Sequence, residues 1–131
     1  MTKVKEIYKC NICGNTVEVL VSGQGTLVCC GENMELLKEV NGQETEEQDV
    51  EIAAKHIPVI EQKDNKVIVT VGKVEHPMTE EHHIKWIEVN IDGSIYVKKL
   101  NIGEKPIAEF KGTGNKVSAR AYCNKHGLWK S

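Results

Sequence analysis

The chain has 131 residues and an almost balanced charge, with 17 basic and 19 acidic side chains, a formal net charge of −2 and a pI near 6.2. This length suffices for one or two small domains, and the lack of a basic excess argues against a general nucleic-acid binder. The mean hydropathy is −0.37, no apolar run approaches the ~20 residues that span a bilayer, and the N-terminus lacks the apolar segment of a secretory signal. We therefore expect a soluble, cytoplasmic protein.

Composition divides the chain into three segments. Residues 1–38 hold four of the five cysteines, residues 39–54 carry six acids and no base, and residues 55–131 hold all five histidines and the fifth cysteine. We expect a small cysteine-rich domain, an acidic linker and a larger C-terminal domain.

The predicted secondary structure is mostly β. Residues 17–21 and 26–28 flank a glycine-containing turn and predict a hairpin. Alternating apolar residues predict strands further along, at 67–71, 87–91, 95–97 and 117–122, with a turn at Asp92-Gly93. Short strands at this spacing favour an antiparallel sandwich or barrel. A helix is the alternative only for residues 44–54.

Four cysteines of the N-terminal segment have the spacing of a metal site. Cys10 and Cys13 form a Cys-x2-Cys-Gly knuckle, and the adjacent residues Cys29 and Cys30 supply a second pair of thiolates. Four thiolates suit one tetrahedral iron or zinc ion, and these residues alone do not decide between the two metals. The alternatives are a zinc ribbon that serves only folding, and two disulfides. Neighbouring cysteines bridge each other poorly, which weakens the disulfide alternative.

The histidines and the fifth cysteine are candidate donors of a second site. Cys123 and His126 are three residues apart, so both can bind one ion. A single histidine is ordinarily a surface or core residue, but here all five lie in one segment and four adjoin Pro, Gly or another His. Imidazoles with one thiolate suit a transition metal, and four histidines plus one cysteine would leave one position of an octahedral iron open.

In their order along the chain, these motifs resemble the desulfoferrodoxin family of two-iron superoxide reductases. The similarity covers essentially the whole chain and rests on Cys10-x2-Cys13, Cys29-Cys30, Lys55-His56-x-Pro58, His76-Pro77-Met78, His82 and Cys123-Asn124-x-His126-Gly127. It implies a mainly β protein, with a rubredoxin- or desulforedoxin-like Fe(Cys)4 domain over residues 1–38 and an immunoglobulin-like β-sandwich over residues 55–131.

The resemblance also implies the site residues and the reaction. The first iron would be bound by Cys10, Cys13, Cys29 and Cys30, and the second by His56, His76, His82 and His126 with Cys123 as axial ligand. Ferrous iron with an open sixth position would reduce superoxide by one electron to hydrogen peroxide. Lys55 would steer the anion to the site. The implied partners are a rubredoxin-like electron donor and a second copy of the chain in a homodimer, in the cytoplasm of an anaerobic or microaerophilic prokaryote.

Two positions depart from the family pattern, and one histidine falls outside it. The family usually has a glutamate before the lysine and often an acid two residues before the axial cysteine, where this chain has Ala54 and Ala121. We expect that without the glutamate the oxidised site binds added anions more readily, unless Glu51 takes that role. His83 is expected to be a neighbour and not a ligand, because adjacent side chains of a strand point to opposite faces.

Two other functions remain open from the sequence. A rubredoxin-type electron carrier would have incidental histidines and no reaction with superoxide. A zinc-stabilised interaction module would have no redox activity and no colour.

Overall fold

The computed structural model describes residues 1–41 and 50–131, and it consists mainly of β-strands. The chain divides into two compact units, Met1–Lys38 and Glu39–Ser131. In the described ranges, no helix is long and apolar enough to cross a membrane. The predicted mainly β fold, with a small cysteine-bearing part followed by a β-sandwich, is confirmed.

The N-terminal unit contains five short strands. They are β1 (Ile7–Lys9), β2 (Thr16–Glu18), β3 (Val28–Cys29), β4 (Glu32–Asn33) and β5 (Glu35–Leu36). Three of them form an antiparallel sheet of order β2-β1-β5, while β3 and β4 pair with each other. The buried apolar side chains of this unit are Ile7, Cys10 and Val19. Because so small a core stabilises little, a unit of this size ordinarily needs a metal or a disulfide.

The predicted hairpin between residues 17–21 and 26–28 is wrong. Strand β2 pairs with β1 instead, because the Cys10–Gly14 knuckle turns the chain back so that Tyr8 lies opposite Val17. Beyond β2 the chain stays beside the start of β1, where the Val19 amide donates to the Glu6 carbonyl at 2.9 Å. The residues from 20 onward leave this pairing, and Val21 is 85% exposed.

The described part of the second unit contains one helix and eight strands. They are β6 (Glu39–Val40), α1 (Val50–His56), β7 (Pro58–Lys63), β8 (Lys66–Val71), β9 (Ile84–Ile91), β10 (Ser94–Lys99), β11 (Ile107–Lys111), β12 (Val117–Cys123) and β13 (Gly127–Lys130). One sheet has the order β10-β9-β12-β13-β6 and the other has the order β11-β8-β7. Strands β13 and β6 pair in parallel, whereas the remaining pairs of these two sheets are antiparallel.

The core of the second unit lies between its two sheets. Alternate residues of β8 (Val67, Val69 and Val71) are fully buried against Ile87 and Val89 of β9. This period-two burial is the reason that the strands predicted at 67–71, 87–91, 95–97 and 117–122 are confirmed. The turn predicted at Asp92-Gly93 is also present, and both residues have a positive φ, as a tight hairpin between β9 and β10 requires.

The segment predicted as a linker is described only in part. Residues 42–49 lie outside the described residues. They include the first six residues, 44–49, of the alternative helix predicted over 44–54. Within the described part, residues 39 and 40 form β6, and α1 covers Val50–His56. Lys55 and His56 are therefore in the last turn of a helix.

Candidate metal centres

The four N-terminal cysteines lie together at two tight turns. Their sulfur atoms are all within 4.8 Å of one another, with 3.6 Å between those of Cys13 and Cys29 and 4.0 Å between those of Cys29 and Cys30. Thiolates on a tetrahedral ion with metal–sulfur bonds of ~2.3 Å are about 3.8 Å apart. All five cysteines of the chain are free, so the disulfide alternative finds no support. A positive φ at Gly14, Cys30 and Gly31 forms the turns that bring the pairs together.

Backbone amides prepare this group for a cation. The amides of Cys13 and Ile12 lower the pKa of the Cys10 thiol to about 6. Hydrogen bonding to the thiol of Cys13, and then to that of Cys10, raises the pKa of Cys30 to about 12. The protein alone thus favours a thiolate at Cys10 and disfavours thiolates at Cys29 and Cys30. A bound cation would supply the positive charge that four thiolates need.

Four imidazoles form a ring in the second unit. His56 is at the end of α1, His76 follows β8, His82 lies on the bend before β9, and His126 lies in the turn between β12 and β13. The Nε2 atom of His56 is 3.0 Å from Nε2 of His76 and 3.2 Å from Nδ1 of His126. The Nδ1 atom of His126 is in turn 3.2 Å from Nε2 of His82. Neighbouring rings meet edge to face, at interplanar angles of 74° to 85°.

These distances fit a metal ion. Three sides of the ring of nitrogen atoms measure 3.0 to 3.2 Å. A square with edges of this length has its corners roughly 2.1 to 2.3 Å from its centre, near the ~2.0–2.1 Å of a metal–imidazole bond. Cys123 completes the group, with its sulfur 3.9 Å from Nδ1 of His126 and within 4.8 Å of the donor atoms of His56, His76 and His82. The donor set is thus four imidazole nitrogens and one sulfur, which suits a transition metal.

Backbone carbonyls set the tautomers of two histidines. Nδ1 of His56 is 2.6 Å from the Ile52 carbonyl and Nδ1 of His76 is 2.6 Å from the Pro77 carbonyl. Each Nδ1 must donate its hydrogen to the carbonyl, so each Nε2 is unprotonated and directs its lone pair at the centre of the ring. Burial lowers the pKa of both histidines to about 4, so both are neutral at pH 7.

Cys123 lies in a different environment from the N-terminal cysteines. Its side chain is fully buried, and burial raises the pKa of the thiol, while the backbone amides of His126 and Lys125 act in the opposite direction. The His126 amide donates to the sulfur at 3.4 Å. A bound cation would favour the thiolate that burial disfavours.

Lys55 and His76 line a common cleft. It has a volume of about 590 Å³ and is also lined by Glu75, Pro77, Met78, Glu104, Lys105 and Pro106. Lys55 is exposed, whereas its neighbour His56 is fully buried. The ammonium group of Lys55 and the imidazole of His76, a candidate metal ligand, therefore line the same surface.

All nine side chains predicted as metal ligands fall into these two groups, and His83 belongs to neither. The reason expected for His83 was incorrect, because His82 lies on a bend and neither residue belongs to strand β9, which begins at Ile84. Nδ1 of His83 lies 2.9 Å from the Thr79 carbonyl instead. Sequence analysis missed Trp129, which stacks on His56 with ring centroids 4.9 Å apart and donates to the His126 carbonyl at 3.0 Å. Its position three residues after His126 could have indicated that it lies near the metal ligands.

Comparison with known proteins identifies the family. A family model for desulfoferrodoxin matches residues 46–131, and a model for the desulfoferrodoxin N-terminal domain matches residues 2–37. The chain belongs to the desulfoferrodoxin family. A desulfoferrodoxin homolog from Archaeoglobus fulgidus is 52% identical over 131 residues, covering 100% of this chain and 99% of that relative. The desulfoferrodoxin of Nitratidesulfovibrio vulgaris is 53% identical over 126 residues, covering 96% of this chain and 94% of that relative.

A solved structure is also similar. The superoxide reductase from Treponema pallidum matches with a TM-score of 0.76 and 26% identity, covering 96% of this chain and 95% of that chain. The resemblance to desulfoferrodoxins predicted from the sequence is confirmed. Membership of this family, together with a four-cysteine group and a group of four histidines and one cysteine, is consistent with the two predicted iron centres.

Proposed function

We propose that this desulfoferrodoxin is a superoxide reductase, which adds one electron and two protons to superoxide to form hydrogen peroxide. The observation that carries the proposal is the ring of four imidazoles with a buried thiol beside it. The similarity to a superoxide reductase over nearly the whole chain supports it.

We propose that each group binds one iron. The ligands of the first centre are Cys10, Cys13, Cys29 and Cys30, and those of the second are His56, His76, His82, His126 and Cys123. Ferrous iron held by these five residues would supply the electron that reduces superoxide. The chain's own contribution is to keep His56 and His76 neutral and buried away from water, and to hold the thiolate of Cys123 beside them.

We propose that Lys55 attracts the anionic substrate and orients a water that delivers a proton to the product. Its exposed ammonium group is on the residue next to His56 and lines the cleft that His76 also lines. A cation at the mouth of a site raises the encounter rate with an anion. At position 54 this chain has a methyl group and no carboxylate. We therefore propose that azide and similar anions reach the oxidised centre readily.

We propose three domain segments: a desulforedoxin-like domain over residues 1–38, an acidic linker over residues 39–54, and the reductase domain over residues 55–131. We further propose electron transport from a rubredoxin-like donor, a homodimer and a cytoplasmic location. Exposed apolar side chains of the N-terminal unit, such as Ile12 at 59% and Leu20 at 73%, support association with another protein surface. Sedimentation equilibrium tests the dimer.

Optical spectroscopy during stepwise oxidation tests the proposed function. The anaerobically purified protein should show two separately oxidised chromophores. Cys123→Ser should remove the band of the second centre and leave the first, while Cys13→Ser should do the reverse. Pulse radiolysis should show that only the protein with an intact second centre consumes superoxide. One Fe(Cys)4 chromophore without reactivity would indicate an electron carrier, and colourless zinc protein would indicate a structural module.

A further inference from the structure

We propose that Asn124 is a positioning residue that fastens the His82 loop to the turn bearing Cys123 and His126. This inference rests on the proposed ligand set of the second centre. The side-chain hydrogen bonds of Asn124 go to backbone atoms and not to the donor atoms. It acts through the backbone on both sides of His82.

Three hydrogen bonds connect Asn124 to this loop. The side-chain carbonyl oxygen of Asn124 accepts from the His83 amide at 2.9 Å, and the side-chain NH2 donates to the Glu81 carbonyl at 2.9 Å. The backbone amide of Asn124 donates to the His83 carbonyl at 3.1 Å. Residues 81 and 83 are both held, so the peptide units flanking His82 have a fixed distance from the turn that follows β12.

His82 depends on this connection more than the other histidines do. His56 ends a helix, and the ring nitrogens of His56 and His76 that face away from the centre are fixed by backbone carbonyls. His82 is half-buried on an irregular bend. Its local bonds, from its own amide to the Thr79 hydroxyl at 3.2 Å and from the Thr79 amide to its carbonyl at 3.0 Å, shape the bend. They do not tie the bend to His126, whose Nδ1 lies 3.2 Å from the His82 ring.

The chemistry of the connection requires an amide side chain. One end must accept from an N–H and the other must donate to a carbonyl. An aspartate of the same shape keeps the acceptor but directs a second oxygen at the Glu81 carbonyl. An alanine removes both side-chain bonds and keeps the backbone bond. Asn124→Ala should therefore disrupt the connection most, and Asn124→Asp should disrupt it less.

The experiment measures the release of ferrous iron from the intact two-iron protein to an excess of a coloured ferrous chelator. Groups that orient metal ligands typically change metal affinity by ~10–100-fold when they are mutated. We expect Asn124→Ala to accelerate release from the second centre within about that range and Asn124→Asp to do so less. The thiolate band of the second centre should also shift. Release from the four-cysteine centre of the same molecule should be unchanged.

Asn90→Ala is the matched control. The Asn90 side chain accepts from the Gly93 amide at 2.8 Å in the β9–β10 turn, so this variant also loses a side-chain-to-backbone bond in the same unit. Its iron release should equal that of the unmodified protein. Equal release rates for Asn124→Ala and Asn90→Ala, at comparable thermal stability, would overturn the proposal. If the unmodified protein holds no iron at the second centre, the proposed function itself fails, which is a separate outcome.

Discussion

Gly72 should be intolerant of even one added methyl group, because the end of the helix that carries Lys55 and His56 packs directly on it. A Cβ atom at this position would lie 2.7 Å from the Ala54 carbonyl oxygen, 2.9 Å from the Lys55 carbonyl carbon and 3.0 Å from the Ile57 carbonyl oxygen. All three are backbone atoms, which no side-chain rotation can move away. Gly72 is not among the glycines with a positive φ, so the restriction is one of space and not of backbone conformation.

The magnitude follows from two opposing contributions. Forcing a methyl group into a packed site costs about 1–3 kcal/mol, while replacing glycine by alanine restricts the unfolded chain and restores about 0.4–1 kcal/mol. The net loss for Gly72→Ala should be about 1–2 kcal/mol. Relief of the clash requires the end of α1 to move by about half an ångström. Because His56 is on that end, the ring of donor atoms should move with it.

Urea unfolding of the metal-free protein measures the stability change, and the optical spectrum of the iron-loaded protein measures the change at the site. Gly25→Ala is the control, since no atom lies within 4 Å of a Cβ added there. It should not lower the stability, since the restricted unfolded chain can only add about 0.4–1 kcal/mol, and it should leave the second-centre spectrum unchanged. A Gly72→Ala protein with unaltered stability and an unaltered second-centre spectrum would refute the close packing of Gly72 against α1.

Three further predictions concern charge. Lys55→Ala should lower the rate of reaction with superoxide about tenfold and weaken the dependence of that rate on salt concentration, while Lys55→Arg should keep the rate and its salt dependence. Equal salt dependence for the unmodified protein and both variants in pulse radiolysis would contradict electrostatic steering by Lys55. Because burial lowers the pKa of His56 and His76 to about 4, the unfolded chain binds protons first as the pH falls. The metal-free protein should therefore lose stability from pH 6.5 towards 4, by at most about 1.4 kcal/mol per pH unit for each histidine, and a flat profile in urea unfolding would argue otherwise. Arg120→Met should lower the free energy of unfolding by about 3–5 kcal/mol. It leaves the buried Glu88 carboxylate without the guanidinium that donates to it at 2.6 Å and 2.9 Å. A loss below about 1 kcal/mol in urea unfolding would show that this carboxylate is easily hydrated.

The donor groups could be predicted because their spacing is local or their residue types are rare. Cys10 and Cys13 are adjacent in space since a knuckle of this length closes on itself. The histidines were identified by their restriction to one segment, although His56 and His126 are 70 residues apart and meet at 3.2 Å. Their convergence depends on strand pairing, which no local pattern of the sequence contains.

Two of the strands that were missed, β7 and β6, have weak alternation or a distant partner. Strand β7 has one buried residue, Pro58, followed by mostly exposed ones, so its period-two pattern is faint. Strand β6 has two residues and pairs in parallel with β13, nearly at the other end of the chain. The hairpin in the N-terminal unit was wrong for a related reason. Its residues have strand propensity, but the cysteine knuckle decides which strand lies opposite.

The two halves of the imidazole ring are built differently, and this difference explains why a single asparagine can matter. His56 and His76 are 1% and 2% exposed and have fixed tautomers. His82 is half-buried and His126 is exposed, and both belong to irregular segments next to strand ends. Burial cannot hold His82 and His126 in place, so hydrogen bonds between the His82 loop and the turn bearing His126 must do so. The bonds made by Asn124 are placed where packing is weakest, and removing them should affect metal retention more than folding.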